Sequence, residues 1–103
     1  MIKAEITWNE GSIYICCLAE QAIDAEKAVR SALNEIRWGL PLNCTCFRAE
    51  SSVEVLPVDG VFSGQIELQF REQTVPHRRR QVVLEAASAL MAAGYSDIWI
   101  REH

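Results

Sequence analysis

One pattern occurs twice in this chain and constrains its fold more than any other feature: an alternating segment leads into a segment with helical periodicity. The first copy extends from Gly11 to Gly39 and the second from Gly64 to Gly94. Alternation of apolar and polar residues is typical of a strand with one buried face, whereas apolar residues spaced by three and four are typical of an amphipathic helix. The repeated order predicts two split β-α-β units that share one sheet.

Alternation and turn residues predict the strands. Asn9-Glu10-Gly11 and Asp59-Gly60 have the composition of tight turns, which join paired strands. Ser51-Ser52 falls inside an otherwise strand-like stretch and leaves open whether that stretch forms one strand or two. The predicted strands cover residues 2–8, 13–17, 44–48, 53–58, 61–70 and 98–100.

Start and stop signals bound the two helices. The first is predicted over residues 20–38 and ends at residues 39–41, which hold a glycine and a proline. The second is predicted to begin with Thr74 as its N-cap and to end at Gly94. Pro76 is acceptable in its first turn, because the N–H that proline lacks would be unpaired there anyway.

The predicted element order is β-β-α-β-β-α-β within a single α+β domain that covers residues 1–103. This order fits a ferredoxin-like sandwich, in which two helices cover one face of an antiparallel sheet. Residues 1–8 are expected to add an extra N-terminal edge strand. The opposite face of the sheet is expected to stay open and to present Tyr14, Glu67 and Trp99.

Charge disfavours some classes of partner. The chain has 103 residues, with ten basic and fourteen acidic side chains and a formal net charge of −4. Neutralising phosphates requires a basic surface, so nonspecific attraction to nucleic acid or to an anionic membrane is disfavoured. No apolar run approaches the ~20 residues of a membrane span, and the first residues lack the apolar core of a signal peptide. A cytoplasmic protein with no membrane partner is predicted.

The four cysteines occur as the vicinal pair Cys16-Cys17 and as Cys44 and Cys46. In a cytoplasmic protein an even number of cysteines does not indicate disulfides, and reduced, mostly buried thiols are expected. Structural zinc sites usually take their ligands from Cys-x₂₋₄-Cys spacings, which neither pair has. No metal site is predicted, although the sequence leaves a redox or metal role for these cysteines open.

Residues 13–18, with the sequence Ile-Tyr-Ile-Cys-Cys-Leu, resemble the first-strand signature of RNA-recognition motifs, which places an aromatic ring among apolar residues to stack a base. The resemblance implies aromatic residues on the neighbouring strand as well. The outward positions of that strand are Gln65 and Glu67, and a carboxylate there repels phosphate. RNA recognition of this kind is therefore not predicted. Acylphosphatases share the fold class, but residues 18–22 lack the glycine-rich loop and the arginine that their chemistry needs.

The sequence contains no motif for catalysis or for a cofactor. The five glycines stand singly at turns or helix ends, so no glycine-rich phosphate loop is present. His77 is the only candidate base away from the end of the chain, and no nucleophile motif accompanies it. A non-enzymatic protein without a cofactor is expected.

The segment His77-Arg78-Arg79-Arg80 breaks a local rule. The start of a helix carries about half a positive charge from its aligned peptide dipoles, and acidic residues are preferred there. We therefore expect a site for an anion or a partner protein at His77, Arg78, Arg79 and Arg80. The alternative interpretation is an exposed charge run without a role, which costs a few tenths of a kcal/mol per residue.

Together these features predict a small stand-alone binding or regulatory protein that acts on a protein partner. Accessory and inhibitor proteins encoded by phages and mobile elements are of this type, although no motif supports the likeness. Two alternatives stay open: a nucleic-acid-binding module that uses Arg78–Arg80, and a small-ligand sensor or minor enzyme. A homodimer is also expected, because residues 2–8 would form an exposed edge and Trp8 and Trp99 would add apolar surface.

Overall fold

The computed structural model describes residues 2–38 and 46–103, which form six strands and two helices. The predicted helix end at residues 39–41 and the predicted strand residue Cys44 lie outside the described residues. The α+β class is confirmed. In chain order the elements are β1 (Lys3–Trp8), β2 (Ser12–Ala19), α1 (Ala22–Trp38), β3 (Phe47–Glu50), β4 (Glu54–Val58), β5 (Val61–Phe70), α2 (Pro76–Ala92) and β6 (Ile98–Glu102).

The strands of the described ranges belong to one mixed sheet with the order β3-β5-β2-β1-β6. Paired strands are antiparallel except β1 and β6, which are parallel. Because β2 pairs with one edge of β5 along most of its length, β3 and β4 share the other edge. They are two pieces of one interrupted strand, which settles the question that Ser51-Ser52 left open.

The predicted place of the first strand is wrong. Residues 1–8 are not an extra edge strand, because β1 lies between β2 and β6, and the strand order differs from the ferredoxin-like one. A short turn makes β1 pair with β2, whose other edge is taken by β5, so β6 pairs with the free edge of β1. The sheet is also not wholly antiparallel, contrary to the prediction. The connection through α2 brings β6 back in the same direction as β5. Because β1 runs in that direction too, β1 and β6 are parallel.

Asn9 makes the turn between β1 and β2 tight. Its Oδ1 accepts hydrogen bonds from the N–H groups of Gly11 at 2.7 Å and Ser12 at 2.9 Å. Its own N–H donates to the carbonyl of Ser12 at 2.9 Å. An asparagine side chain that satisfies the backbone in this way favours a turn, and the resulting register places Ile6 opposite Ile15.

Both helices pack on the face of the sheet that carries the apolar half of each alternation. Ile6, Ile15 and Ile66 lie side by side on neighbouring strands and are at most 1% exposed. Ile100, which was predicted to point inward, extends this row but is 46% exposed, because β6 is the outermost strand. The helices complete the core with Val29, Ala32 and Ile36 from α1 and Val82, Ala86 and Leu90 from α2.

Ser51 connects the interruption between β3 and β4 to the sheet. Its N–H donates to the carbonyl of Glu67 at 2.8 Å, and its Oγ accepts from the N–H of Glu67 at 2.9 Å. The Ser51 hydroxyl thus accepts the hydrogen bond that a backbone carbonyl would accept in a regular strand pair without a bulge. Asp59 and Gly60 then reverse the chain with φ of 48° and 83°, the left-handed values that a two-residue hairpin turn uses.

The helix α2 does not have the predicted N-cap. Val75 occupies that position in an extended conformation, and its side chain makes no capping hydrogen bond. Pro76 explains this arrangement, since a residue before proline is disfavoured in the helical region. The Thr74 hydroxyl instead donates to the carbonyl of Cys46 at 3.3 Å. At the other end, Gly94 follows the helix with a φ of 108°, as its sequence position predicts.

Gly64 allows α1 to approach β5 closely. A Cβ at this position would lie 2.5 Å from the carbonyl oxygen of Ala25 and 3.0 Å from Cγ2 of Val29. The first of these atoms belongs to the helix backbone, so a flexible side chain could not relieve the contact by rotating. The distance between helix and sheet therefore depends on the missing side chain at residue 64.

We expect Gly64→Ala to lower the free energy of unfolding by about 1–3 kcal/mol, the usual cost of overpacking a core. Gly11→Ala is the matched control, because the nearest atom to its new Cβ would be Asn9 Oδ1 at an ordinary 3.5 Å. Denaturant unfolding of the two variants and the wild type measures the difference. Equal stability of both variants would contradict the close packing of α1 on β5.

Candidate functional site

The predicted cluster of His77, Arg78, Arg79 and Arg80 occupies the start of α2. His77 and Arg80 are exposed, whereas Arg78 and Arg79 are half-buried. The first turn contains no acidic residue, and the N-cap contributes no side-chain acceptor. The partial positive charge of the helix start is therefore increased by the guanidinium groups and not compensated within that turn.

Arg79 is partly committed to the fold. Its Nη1 donates a hydrogen bond to the carbonyl of Thr74, in the loop before the helix. Its Nε is buried and has no hydrogen-bond partner among the described residues. A buried donor that lacks an acceptor costs about 1–3 kcal/mol, so an acceptor brought to this N–H would be bound favourably.

A pocket of about 250 Å³ opens beside this turn, where α2 begins and where β1 and β6 end. Arg79 and Arg80 line it together with Glu10 and Glu102, so cations and carboxylates share its wall. His77 and Arg78 are not among its lining residues. The complete lining is Trp8, Asn9, Glu10, Pro76, Arg79, Arg80, Glu102 and His103.

The open face of the sheet carries Tyr14 and Glu67, which lie opposite each other on β2 and β5. Tyr14 is half-buried. Burial is the main cause that raises the pKa of its hydroxyl, and Cys16, Glu5, Glu54 and Glu67 raise it further. The region is therefore electronegative. It contains a shallow pocket of about 150 Å³ lined by Tyr14, Ser51, Ser52, Glu54, Gln65, Ile66 and Glu67.

Trp99 lies on the same open face, but at its far edge, on β6 beside Glu5 of β1. The Nζ of Lys3 is 4.6 Å and the Cζ of Arg101 is 5.4 Å from the centroid of a Trp99 ring, within the range of cation–π attraction. The indole N–H donates to Asp97 at 2.8 Å. The ring is thus held in one orientation although 47% of the residue is exposed.

The predicted residues fall into separate places. Tyr14 and Glu67 are direct neighbours, whereas Trp99 is three strands away from Glu67 in the sheet order. The arginine cluster lies on the helix-covered side. Residues 77–80 and the open face therefore cannot contact the same small ligand.

Sequence reasoning missed two groups of residues. Glu10 and Glu102 come together only because β1 and β6 are parallel neighbours, and no local signal in the sequence predicts that pairing. Lys3 and Arg101 could have been found, since both occupy outward positions of alternating segments.

Cys16 and Cys17 are neighbours in sequence but lie in different environments. Cys17 is fully buried on the helix side, whereas Cys16 is half-buried on the open face, with its Sγ 3.0 Å from Oγ of Ser63. Both are free thiols. Within residues 2–38 and 46–103, no group of three or more His, Cys, Asp or Glu side chains is arranged to hold a metal ion.

Burial makes the Cys17 thiol a very weak acid. Together with the neighbouring Cys16, it raises the pKa of Cys17 from 9.0 to about 12. The unfolded chain therefore loses this proton at a lower pH than the folded chain does. The stability that the buried neutral thiol contributes is complete below pH 9 and is lost as the pH rises towards 12.

We expect the free energy of unfolding to fall more steeply with pH above 9 in the wild type than in Cys17→Val. The difference in slope is at most ~1.4 kcal/mol per pH unit for a single group. Denaturant unfolding on both sides of this pH measures it. Identical slopes for the two proteins would be inconsistent with a buried thiol at residue 17.

Comparisons of the chain with protein-family models, curated proteins and solved structures give no match. In the described part of the chain, no helix is long and apolar enough to cross a membrane. The function is therefore inferred from the two surfaces themselves, the start of α2 with its pocket and the open face of the sheet.

Proposed function

We propose that this is a non-enzymatic binding or regulatory protein, and that its protein partner places a carboxylate at the start of α2. The observation that carries the proposal is the buried Nε–H of Arg79, which has no acceptor among the described residues. A carboxylate oxygen from a partner would supply that acceptor when its binding turns the Nε–H, which is inaccessible in the free protein, towards the pocket.

A carboxylate suits this position for three physical reasons. Hydrogen bonds between arginine and carboxylate are charge-assisted and stronger than neutral ones. The start of a helix favours a negative group. Arg79 is already held by the Thr74 carbonyl, so less side-chain entropy is lost when a partner binds. Arg78 and Arg80 flank Arg79 in the sequence and add attraction at the rim.

The charge around the pocket favours a protein partner over a nucleic acid. Glu10 and Glu102 share the wall with Arg79 and Arg80, and these carboxylates repel a row of phosphates. The net charge of −4 also disfavours a nucleic acid, at longer range. A protein surface presents both signs of charge and can place a cation opposite the glutamates. The nucleic-acid module that uses Arg78–Arg80 is the alternative.

The cytoplasm is the proposed location, because the thiols of Cys16 and Cys17 stay reduced there. An accessory or inhibitor role, of the kind that phages and mobile elements encode, is consistent with one small domain that carries a binding surface. Such a role requires affinity for a partner and no chemistry of its own.

We expect Arg79→Lys, which keeps the charge and a donor for the Thr74 carbonyl but has no Nε–H, to weaken partner binding about tenfold or more, since a hydrogen bond to a charged group contributes about 1.5–3 kcal/mol. Arg78→Gln/Arg80→Gln should weaken binding mainly at low salt, because these charges act at the rim. Folding stability should stay the same or rise slightly, because two cations leave the positive end of a helix. Capture from a host extract on the immobilised wild type, followed by titration of the captured protein at two salt concentrations, measures the effect.

Lys27→Gln/Arg30→Gln removes the same charge from exposed positions of α1 and serves as the control, with binding expected to be unchanged. If the captured protein binds Arg79→Lys as tightly as the wild type, the proposal is overturned. Affinity that falls steeply with salt and is lost on nuclease treatment would favour the nucleic-acid module instead.

A further inference from the structure

The open face of the sheet is divided between two aromatic patches of opposite charge. The basic patch is Lys3, Trp99 and Arg101, and it borders Glu5 of β1, whose carboxylate is 3.9 Å from Nε of Arg101. The acidic patch is Tyr14, Glu54 and Glu67. They lie towards opposite edges of the sheet, on β1 and β6 and on β2, β4 and β5, and β2 lies midway between the edges.

We propose that this face is the interface of a symmetric homodimer, in which the basic patch of each copy contacts the acidic patch of the other. A two-fold axis parallel to the strands and over β2 places β6 of one copy above β4 of the second. Both pairs of patches then meet at once, as a self-complementary interface requires.

Charge selects this orientation over its alternative. A two-fold axis in the plane of the interface but perpendicular to the strands would place β6 above β6 and β4 above β4. The basic patches would then face each other, as would the acidic patches, and such like-charge contacts suppress association. With the axis along β2, Lys3 and Arg101 of each copy approach the acidic patch of the other, and Glu5 lies above the neutral Gln65.

The register of the sheet identifies the side chains that meet. Arg101 and Glu67 belong to one row that runs across β6, β1, β2 and β5, with Tyr14 between them. Rotation about the axis preserves each row and exchanges its ends. Arg101 of one copy therefore lies one strand from Glu67 of the other, whose carboxylate attracts a guanidinium, and the two Tyr14 side chains face each other on the axis. Trp99 and Glu54 end the adjacent row and meet in the same way.

The face also offers apolar surface, and its area is that of a small interface. Trp99 is 47% and Leu56 is 44% exposed, and Leu18 lies half-buried at the end of the central strand β2. Strands spaced by ~4.8 Å and about seven residues long form a face of roughly 24 Å by 23 Å. This is about 550 Å² in projection, near the small end of specific interfaces, which remove about 600–1,000 Å² from each partner. Closing the two faces would bury the exposed aromatic edges.

In this dimer the helices lie on the outside, because they cover the opposite face of each sheet. Residues 77–80 then stay accessible in both copies. The inference rests on the charge of the open face and is independent of the function proposed for the start of α2.

The test reverses the charge of one patch at a time. Lys3→Glu/Arg101→Glu changes the basic patch, and Glu54→Lys/Glu67→Lys changes the acidic patch. We expect the wild type to have twice the 11.6 kDa mass of the chain in sedimentation equilibrium. Each variant alone should raise the dissociation constant by about a hundredfold or more, because every dimer then contains two like-charge contacts.

Mixing the two variants provides the decisive measurement. In a dimer with one copy of each, the reversed basic patch faces the reversed acidic patch, and the two unchanged patches face each other. All contacts are attractive again, so the mixture should recover the dimeric mass although neither variant dimerises alone. A partner other than a second copy of this chain would not produce this recovery.

Lys27→Glu/Arg30→Glu and Glu35→Lys/Glu72→Lys carry the same charge changes at exposed positions off this face and should leave the dimer unchanged. Circular dichroism verifies that every variant is folded, and Arg101→Gln and Glu67→Gln are milder substitutions, each expected to weaken the dimer about tenfold. A wild type of 11.6 kDa at millimolar concentration overturns the proposal. Patch variants that stay dimeric, or a mixture that stays monomeric, overturn it as well.

Discussion

A β-strand has only two hydrogen-bonding edges. Both edges of β2 are occupied, so β6 cannot pair with it. The tight turn at Asn9 gives one edge to β1, and β5 pairs with the other. The last strand must then pair with β1, and α2 has to cross two strands to bring it there. The start of α2 thereby comes to lie beside the ends of β1 and β6, where the pocket with Arg79 forms. The same displacement carries Arg101 to the edge opposite the acidic residues of β4 and β5.

Most of the local structure could be predicted from the sequence, because local periodicity records which face of an element is buried. The alternation of residues 61–70 predicts β5, and Gly94 predicts the end of α2. Features that depend on distant segments could not be predicted. The place of β1 depends on competition for the edges of β2, and the exposure of Ile100 depends on which strand is outermost. Thr74 lost its predicted capping role because the residue before Pro76 became the N-cap.

In the candidate sites, too, the local features could be predicted from the sequence and the features that depend on distant segments could not. The arginines at the start of α2 stand out in the sequence because they oppose the helix dipole, and Tyr14 and Glu67 stand out because alternation places them outward. Their surroundings were not predictable, since Glu10 and Glu102 join the pocket only through the parallel pairing of β1 and β6. Separation of charge across the open face likewise depends on strand order and not on composition. If β1 lay at the edge of the sheet and did not pair with β6, Lys3 and Arg101 would not lie on neighbouring strands.

The pairing of β1 with β6 also has a consequence for the route by which the chain folds. Ala4 pairs with Ile98, so almost the whole polypeptide separates the two partners. While the chain is being synthesised, the hairpin of β1 and β2 can form early, but the outer edge of β1 has no partner until residues 98–102 have been made. Contacts between such distant segments slow folding and prolong the exposure of unpaired edges. Although β1 is translated long before β6, its outer edge thus depends on this late segment, and during that interval it is open to pairing with other nascent chains.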